Sequence, residues 1–212
     1  SGYIYSTDQQ LIVHKSTITN NEASNHGGGI HMALKNGNGK LKIKNATISH
    51  NKALLKGAGV FCKVDSLDSY SSIIALNSIN NNIENISSNT ISRGYNLIGD
   101  STFRNHLITD SLLADSALLL LGDLTNNGGF TKTRMPLVGS YALDNSSISD
   151  LTDGQNRPKK GVRDIGSAEG NCHLYKTDTV ITCSNYTWKN NNYSTSGDYT
   201  SFSFKQFGCD SI

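Results

Sequence analysis

Two stretches of this chain are copies of one another, and they restrict its folding more than any other feature. They read LIVHKSTITNNEAS…GGGI from Leu11 and LKIKNATISHNKAL…GAGV from Leu41. At a shift of 30 positions Leu11 falls on Leu41, Val13 on Ile43, Ile18 on Ile48, Asn21 on Asn51, Gly27 on Gly57 and Ile30 on Val60. A third, shorter copy, SIIALN, puts Ser72, Ile74 and Asn77 in the places of Ala46, Ile48 and Asn51. A register held at a period of this size predicts stacked repeats, each burying its apolar side chains against the next.

The local pattern selects the kind of stack. Apolar Leu41 and Ile43 alternate with Lys42 and Lys44, the period of two that marks a half-buried strand and not a helix. Asn and Gly punctuate the chain every few residues, which leaves three short strands per repeat, at GGIHM, LKIK and ATIS. The expected fold is all-β, a right-handed parallel β-helix. Ile4, Ile30 and Val60 would form one interior stack and Ile18, Ile48 and Ile74 another. At the bends, Asn21, Asn51 and Asn77 would ladder through their side-chain amides, which both donate and accept. GYIYS at Gly2 has the phase of GGIHM at Gly28, so the chain begins part-way through a repeat. The expectation is a first rung covered by preceding chain, a protein partner or a second copy, because an open end would expose apolar side chains and strand edges.

Composition narrows the function classes. Charged residues make up 17% and the formal net charge is +2, which provides no broad basic field for nucleic acid. The longest apolar run, ALLLL from Ala117, is far too short to span a membrane. Cys62 lies within a repeat and reads as a small buried hydrophobe. Cys172, Cys183 and Cys209 crowd the tail without a CxxC pair. That spacing favours a disulfide over a metal site and an oxidising, extracellular compartment. Sequons begin at Asn45, Asn85, Asn145, Asn185 and Asn192, in a chain rich enough in Asn, Ser and Thr to produce several by chance.

Beyond Asn77 the period loosens, with Ile86, Ile91, Leu97 and Ile98 marking irregular rungs. DSLLADSALLLLGDL, from Asp110, fits either a helical turn or two or a last buried strand. Then follow LGDLTNNGGFTKTRMPLVGSYALD, TDGQNRP and VRDIGSAEG. These segments resemble the bacterial choice-of-anchor family, β-helix proteins similar to polymorphic outer-membrane proteins. Its helix ends in a segment like LGxLxxNGGxTxTxxLxxGSPAxD, then TDxRGxxRP and DIGAxE. The matching residues are Leu121, Leu124, Asn127, Gly128, Gly129, Thr131, Thr133, Gly139, Ser140, Ala142 and Asp144, then Asp153, Arg157, Pro158, Asp164, Ile165, Gly166 and Glu169. Tyr141 replaces the family's usual Pro, and Ala168 its usual aromatic. The resemblance covers about residues 10 to 170 and implies a secreted or surface protein.

The NGG group makes a tight turn, and the chain after it is expected to fold back over the end of the repeats. Asp144, Asp153, Arg157, Arg163, Asp164 and Glu169 would pin that return segment by ion pairs; a glycoside-cleaving or calcium site is the rival reading of the same carboxylates. The domains so read are 1–170, repeats with a return segment over about 121–170, and 171–212, a small aromatic-rich β cap. In the cap, TDTVITC and YTSFSFKQF alternate like strands. Its aromatics serve either as core or, at Trp188, Tyr186 and Tyr193, as a surface for a glycan or a protein. Outward positions on the repeats hold His14, Lys15, His31, Lys42, Lys44 and His50 without a carboxylate, and Asp65 and Asp68 read as part of a loop. No convergent catalytic set, metal ligand set or cofactor motif emerges. The expected function is therefore non-catalytic: adhesion at a cell surface or a structural place in an extracellular assembly. A polysaccharide-degrading β-helix enzyme is the alternative.

Overall fold

The structure, a computed structural model, describes residues 10–34, 39–64, 66–80, 82–83, 86–87, 90–99, 107–112, 119–157, 162–170, 180–181, 185–188, 191–197, 199, 203–204 and 210–211. It is all-β, and its repeats pair in parallel sheets. The first repeat supplies β1 (Gln10–His14), β2 (Thr17–Thr19), β3 (Glu22–Ala23) and β4 (Ile30–Ala33). The second supplies β5 (Lys40–Lys44), β6 (Thr47–Ser49), β7 (Lys52–Ala53) and β8 (Val60–Lys63). Each strand lies beside its counterpart in the register the sequence shift predicts, Leu11 on Leu41, Ile18 on Ile48, Ala23 on Ala53 and Ile30 on Val60. The two-residue strands β3 and β7 make four strands per repeat where three were expected. They are too short to show alternation, and their pairing exists only through the neighbouring copy.

The third repeat contributes β9 (Ser66–Tyr70), β10 (Ile73–Ala75) and β11 (Ser78–Ile79), with β12 (Asn82–Ile83) folded antiparallel onto β11. Next come β13 (Ile86–Ser87), β14 (Thr90–Ser92), β15 (Leu97–Ile98) and β16 (Ser111–Leu112). The parallel sheets run β1-β5-β9-β14, β2-β6-β10-β15-β16, β3-β7-β11 and β4-β8-β13. Ile86, Ile91, Leu97 and Ile98 thus lie in strands that extend the parallel sheets. The stretch from Asp110 opens as a strand, and no described residue is helical. No helix among them is long and apolar enough to cross a membrane.

Corners between strands recur as faithfully as the strands do. One left-handed residue turns each: Lys15, Asn45 and Ser71 at the first corner, Asn20, His50 and Leu76 at the second, Gly27 and Gly57 at the third. Such a φ is strained for an L-residue, and it persists because the paired strands on either side dictate it. At Gly27 space is the second reason, since a Cβ would lie 2.5 Å from the carbonyl oxygen of Ile30 and 2.7 Å from His31 Cβ.

The main core is a column of inward side chains: Ile30, Met32, Leu41, Ile43, Ile48, Val60, Cys62, Leu67, Ile74, Ile86 and Ile98. Ile4, the expected start of one stack, lies outside the described residues. Beside this column runs the asparagine ladder. Asn21 donates through Nδ2 to Asn51 Oδ1 at 2.9 Å, and Asn51 donates in turn to Asn77 Oδ1 at 2.9 Å. Their amides also reach the carbonyls of Ile18 and Ile48, at 3.0 Å each. Asn51 and Asn77 are fully buried, and at the bend their Oδ1 atoms also accept the backbone N–H groups of Asn21 and Asn51, at 3.0 Å each.

The return segment, residues 121–170, does not close the end of the repeats as expected. It lies along their side, over the sheet containing β2, β6 and β10. Gly166 N–H donates to the carbonyl of Ser71, Ser167 reaches the hydroxyls of Thr47 and Thr17, and Arg134 donates to Thr19 and Asn20. The physical reason is visible in β10. Ile73 and Ala75 point away from the main column and form a second core with Leu97, Leu119, Ala142 and Ile165. A strand apolar on both faces requires cover on both. In β2 and β6 the equivalent outward positions are threonines or serine, and there the cover is polar.

Candidate functional site

Three groups of side chains compete for a functional role. The first is the charged cluster within the return segment. Arg157 grips Asp153 Oδ2 through Nη2 at 2.7 Å and through Nε at 2.9 Å, while Asp153 Oδ1 accepts the N–H groups of Gln155 and Arg157. Asp153 is fully buried. Burial alone would raise its carboxyl, but the N–H donors from Glu169, Arg157 and Gln155 and the guanidinium outweigh that and hold it below the usual carboxylate range. Arg163, also fully buried, donates to Glu169 Oε1 at 2.6 Å. Burial raises Glu169, with that guanidinium opposing.

Asp164 makes no ion pair among the described residues. Its Oδ1 accepts the N–H of Asp144 at 2.7 Å and its Oδ2 that of Gly170 at 2.5 Å. Burial, reinforced by the charge of Glu169, pushes its carboxyl up to about 7. A carboxyl poised there is what a general acid requires, yet Asp164 is 4% exposed and both its oxygens are taken by backbone donors. Expected ion pairs form at Asp153–Arg157 and Glu169–Arg163, while the Asp164 carboxyl accepts the backbone N–H groups of Asp144 and Gly170. The cluster clamps a chain reversal, with Asp153, Arg163, Asp164 and Glu169 all buried. No group of three or more His, Cys, Asp or Glu able to share a metal ion occurs among the described residues.

The second group lies on the outer face of the sheet containing β1, β5 and β9. Leu41 and Ile43 turn inward, which puts Lys40, Lys42 and Lys44 outward. Pairing then aligns rows across the sheet: Ile12, Lys42, Asp68 and Ile91 in one, His14, Lys44 and Tyr70 in the next. The expected loop at Asp68 is strand β9, because Leu67 and Ser69 point into the core and only their neighbours face outward. Arg93 donates to Asp68 Oδ2 at 2.9 Å. The expectation of no carboxylate among the outward cations also fails. Asp150, from the return segment, sits 3.4 Å from His14 and 3.8 Å from both Lys15 and Lys44, and accepts Asn45 Nδ2 at 2.8 Å. The charges of Lys44 and Lys15, with the hydrogen bond from His14, hold it below its ordinary value despite some burial. Sequence separation hid Asp150: Asn45 and Asp150 are 105 positions apart, and no periodicity links them. Tyr70 and Tyr95 meet edge to face at 6.4 Å beside this row.

The third group is the aromatic hairpin near the C terminus. Strand β17 (Tyr186–Trp188) pairs antiparallel with β18 (Asn191–Tyr193), setting Tyr186 opposite Tyr193. Trp188 and Tyr193 are half-buried against one another with ring centroids 6.3 Å apart, Tyr199 lies 4.0 Å from Tyr193, and Tyr186 is exposed. A second short pair joins β19 (Ser203–Phe204) to β20 (Asp210–Ser211). Val180 and Ile181, expected in a strand, are exposed and outside any strand. Cys172, Cys183 and Cys209 lie outside the described residues. Cys62 is a free thiol, buried at 5% exposure, and burial raises it to about 12, so it behaves as the expected core residue.

Compared with family models, curated proteins and solved structures, the chain matches none.

Proposed function

We propose that this chain is a right-handed parallel β-helix of an extracellular or cell-surface protein, acting without catalysis in adhesion or in an extracellular assembly. What carries the reading is the division of labour along the repeats. The first three repeats each add one strand to each parallel sheet and stack their inward apolar side chains, and on the β1-β5-β9 face they leave straight outward rows in which Lys, His, Asp and Tyr stand with Ile12 and Ile91. Such a surface suits extended contact with a ligand or a neighbour. The carboxyl best tuned for proton transfer, Asp164, is enclosed by backbone donors, and that counts against the degradative alternative. The NGG and DIG segments, with their resemblance to the choice-of-anchor family, support the surface location, and the CxxC-free spacing of Cys172, Cys183 and Cys209 is compatible with it.

Two measurements test this. Protease shaving and antibody labelling of intact source cells should place the chain outside; purely cytosolic material would refute the location. A screen on acidic and neutral polysaccharides, read by new reducing ends and by the ultraviolet absorbance of unsaturated products, should show no turnover. Turnover abolished by one outward substitution would make the chain an enzyme.

A further inference from the structure

The outer face of the β1-β5-β9 sheet carries more positive charge than the chain as a whole. Among the described residues, Lys15, Lys40, Lys42, Lys44 and Arg93 face two carboxylates, Asp68 and Asp150, an excess larger than the formal net charge of +2 for the entire sequence. Lys40 and Lys42 make no ion pair among the described residues; Lys40 is exposed and Lys42 is half-buried opposite Asp68. One oxygen of Asp150 serves His14, Lys15, Lys44 and Asn45 together, which leaves the cations around it incompletely neutralised. The parallel register sets side chains of successive repeats about 4.8 Å apart in straight rows, a linear track and not a pocket.

We infer that this face binds an acidic polysaccharide, carboxylated or sulfated, laid across the strands; the inference rests on the surface role proposed above and gives it a ligand class. Charge complementarity sets the polyanion. The choice of a glycan comes from what separates the cations. Asp68 and Asp150 are acceptors that a phosphodiester backbone would meet with repulsion, whereas sugar hydroxyls donate to them. Tyr70, whose hydroxyl pairs with Ser147 at 2.9 Å, and Tyr95 border the track with rings suited to the apolar face of a sugar. The return segment at Ser147 and Asp150 forms one side of the track, so the site exists only in the assembled fold.

The test is titration calorimetry of the whole chain with polygalacturonate, heparin, dextran and single-stranded DNA. The acidic glycans should bind in a salt-dependent manner and dextran should not. The double variant Lys40→Gln/Lys42→Gln should weaken glycan binding by about ten-fold with an unchanged thermal midpoint. Lys63→Gln, an exposed lysine of β8 on another sheet, should leave affinity within about two-fold. Equal loss in Lys63→Gln, equal binding of dextran, or displacement of bound glycan by single-stranded DNA at matched charge would overturn the assignment. A chain on the cell surface that binds neither acidic glycan would remove this site and leave the surface role standing. Binding through Lys42 by a cytosolic chain would do the reverse.

Discussion

Asn51 shows how much one side chain can carry in a repeat. It accepts from the Asn21 side-chain amide and backbone N–H, and donates to Asn77 and to the carbonyl of Ile18, all without exposure to water. Replacing it by alanine strands at least one of those partners in the interior. Asn51→Ala is expected to lower stability by about 1–3 kcal/mol in urea unfolding. Asn21→Ala, at the solvent-exposed start of the ladder, is expected to lower it less; equal losses would mean the ladder contributes nothing as a chain. At the same scale, Asn45 loses its standing as a glycosylation site, because it is 1% exposed and bound to Asp150.

The return segment is the element whose attachment decides stability. Gly154 packs on the first corner so closely that a Cβ would lie 2.3 Å from the carbonyl oxygen of Lys15 and 2.8 Å from that of Ser167. Neither obstacle is a side chain that can swing away, so Gly154→Ala should cost about 1–3 kcal/mol, seen as a lower melting temperature. The same element makes stability depend on pH. Asp164 binds its proton more tightly folded than unfolded, so its contribution is fully present below about pH 4 and is lost as pH rises through 7. Glu169 acts in the same direction. Asp153 acts in the opposite one, its contribution present above the ordinary carboxylate range and lost as pH falls through its lowered value. The chain should therefore be most stable near pH 4 and lose stability as pH rises from about 4 to 7, with Asp164 accounting for up to about 4 kcal/mol of that loss. Thermal melts at pH 5.5 and 8.5 would show it. In Asp164→Asn the alkaline slope should flatten at a lower overall stability, and an unchanged slope would clear Asp164 of the effect.

Across the described molecule, the core of the repeats and the core under the return segment meet along β10. Ile73 and Ile74, adjacent in β10, belong to the two different cores, so loosening one exposes the flank of the other. Unfolding should accordingly be a single transition. Cys62 reports on it, since its buried, strongly raised thiol should resist a disulfide reagent at pH 8 until the β signal is lost. Coincidence of thiol exposure with the loss of circular dichroism is the expected result; early thiol reaction would mean that the repeats open while the sheets persist.

What the sequence determined by itself was everything that repeats. Alternation along LKIK, the shift that lays Ile18 on Ile48, and the recurrence of Asn51 as Asn77 specify strand, partner and ladder together, because in a parallel stack each residue meets its own counterpart. The two-residue strands escaped because nothing in two residues alternates. The strand at Asp68 was legible only once Leu67 and Ser69 were seen to point inward. Only the tertiary structure decided where the unrepeated chain goes. That Asp150 would stand among His14, Lys15 and Lys44, that the return segment would cover a side and not an end, and that Asp164 would be sealed by the backbone of Asp144 and Gly170 are all contacts between chemically unlike partners. For such contacts no period exists to read, and burial and charge settle them after the stack has formed.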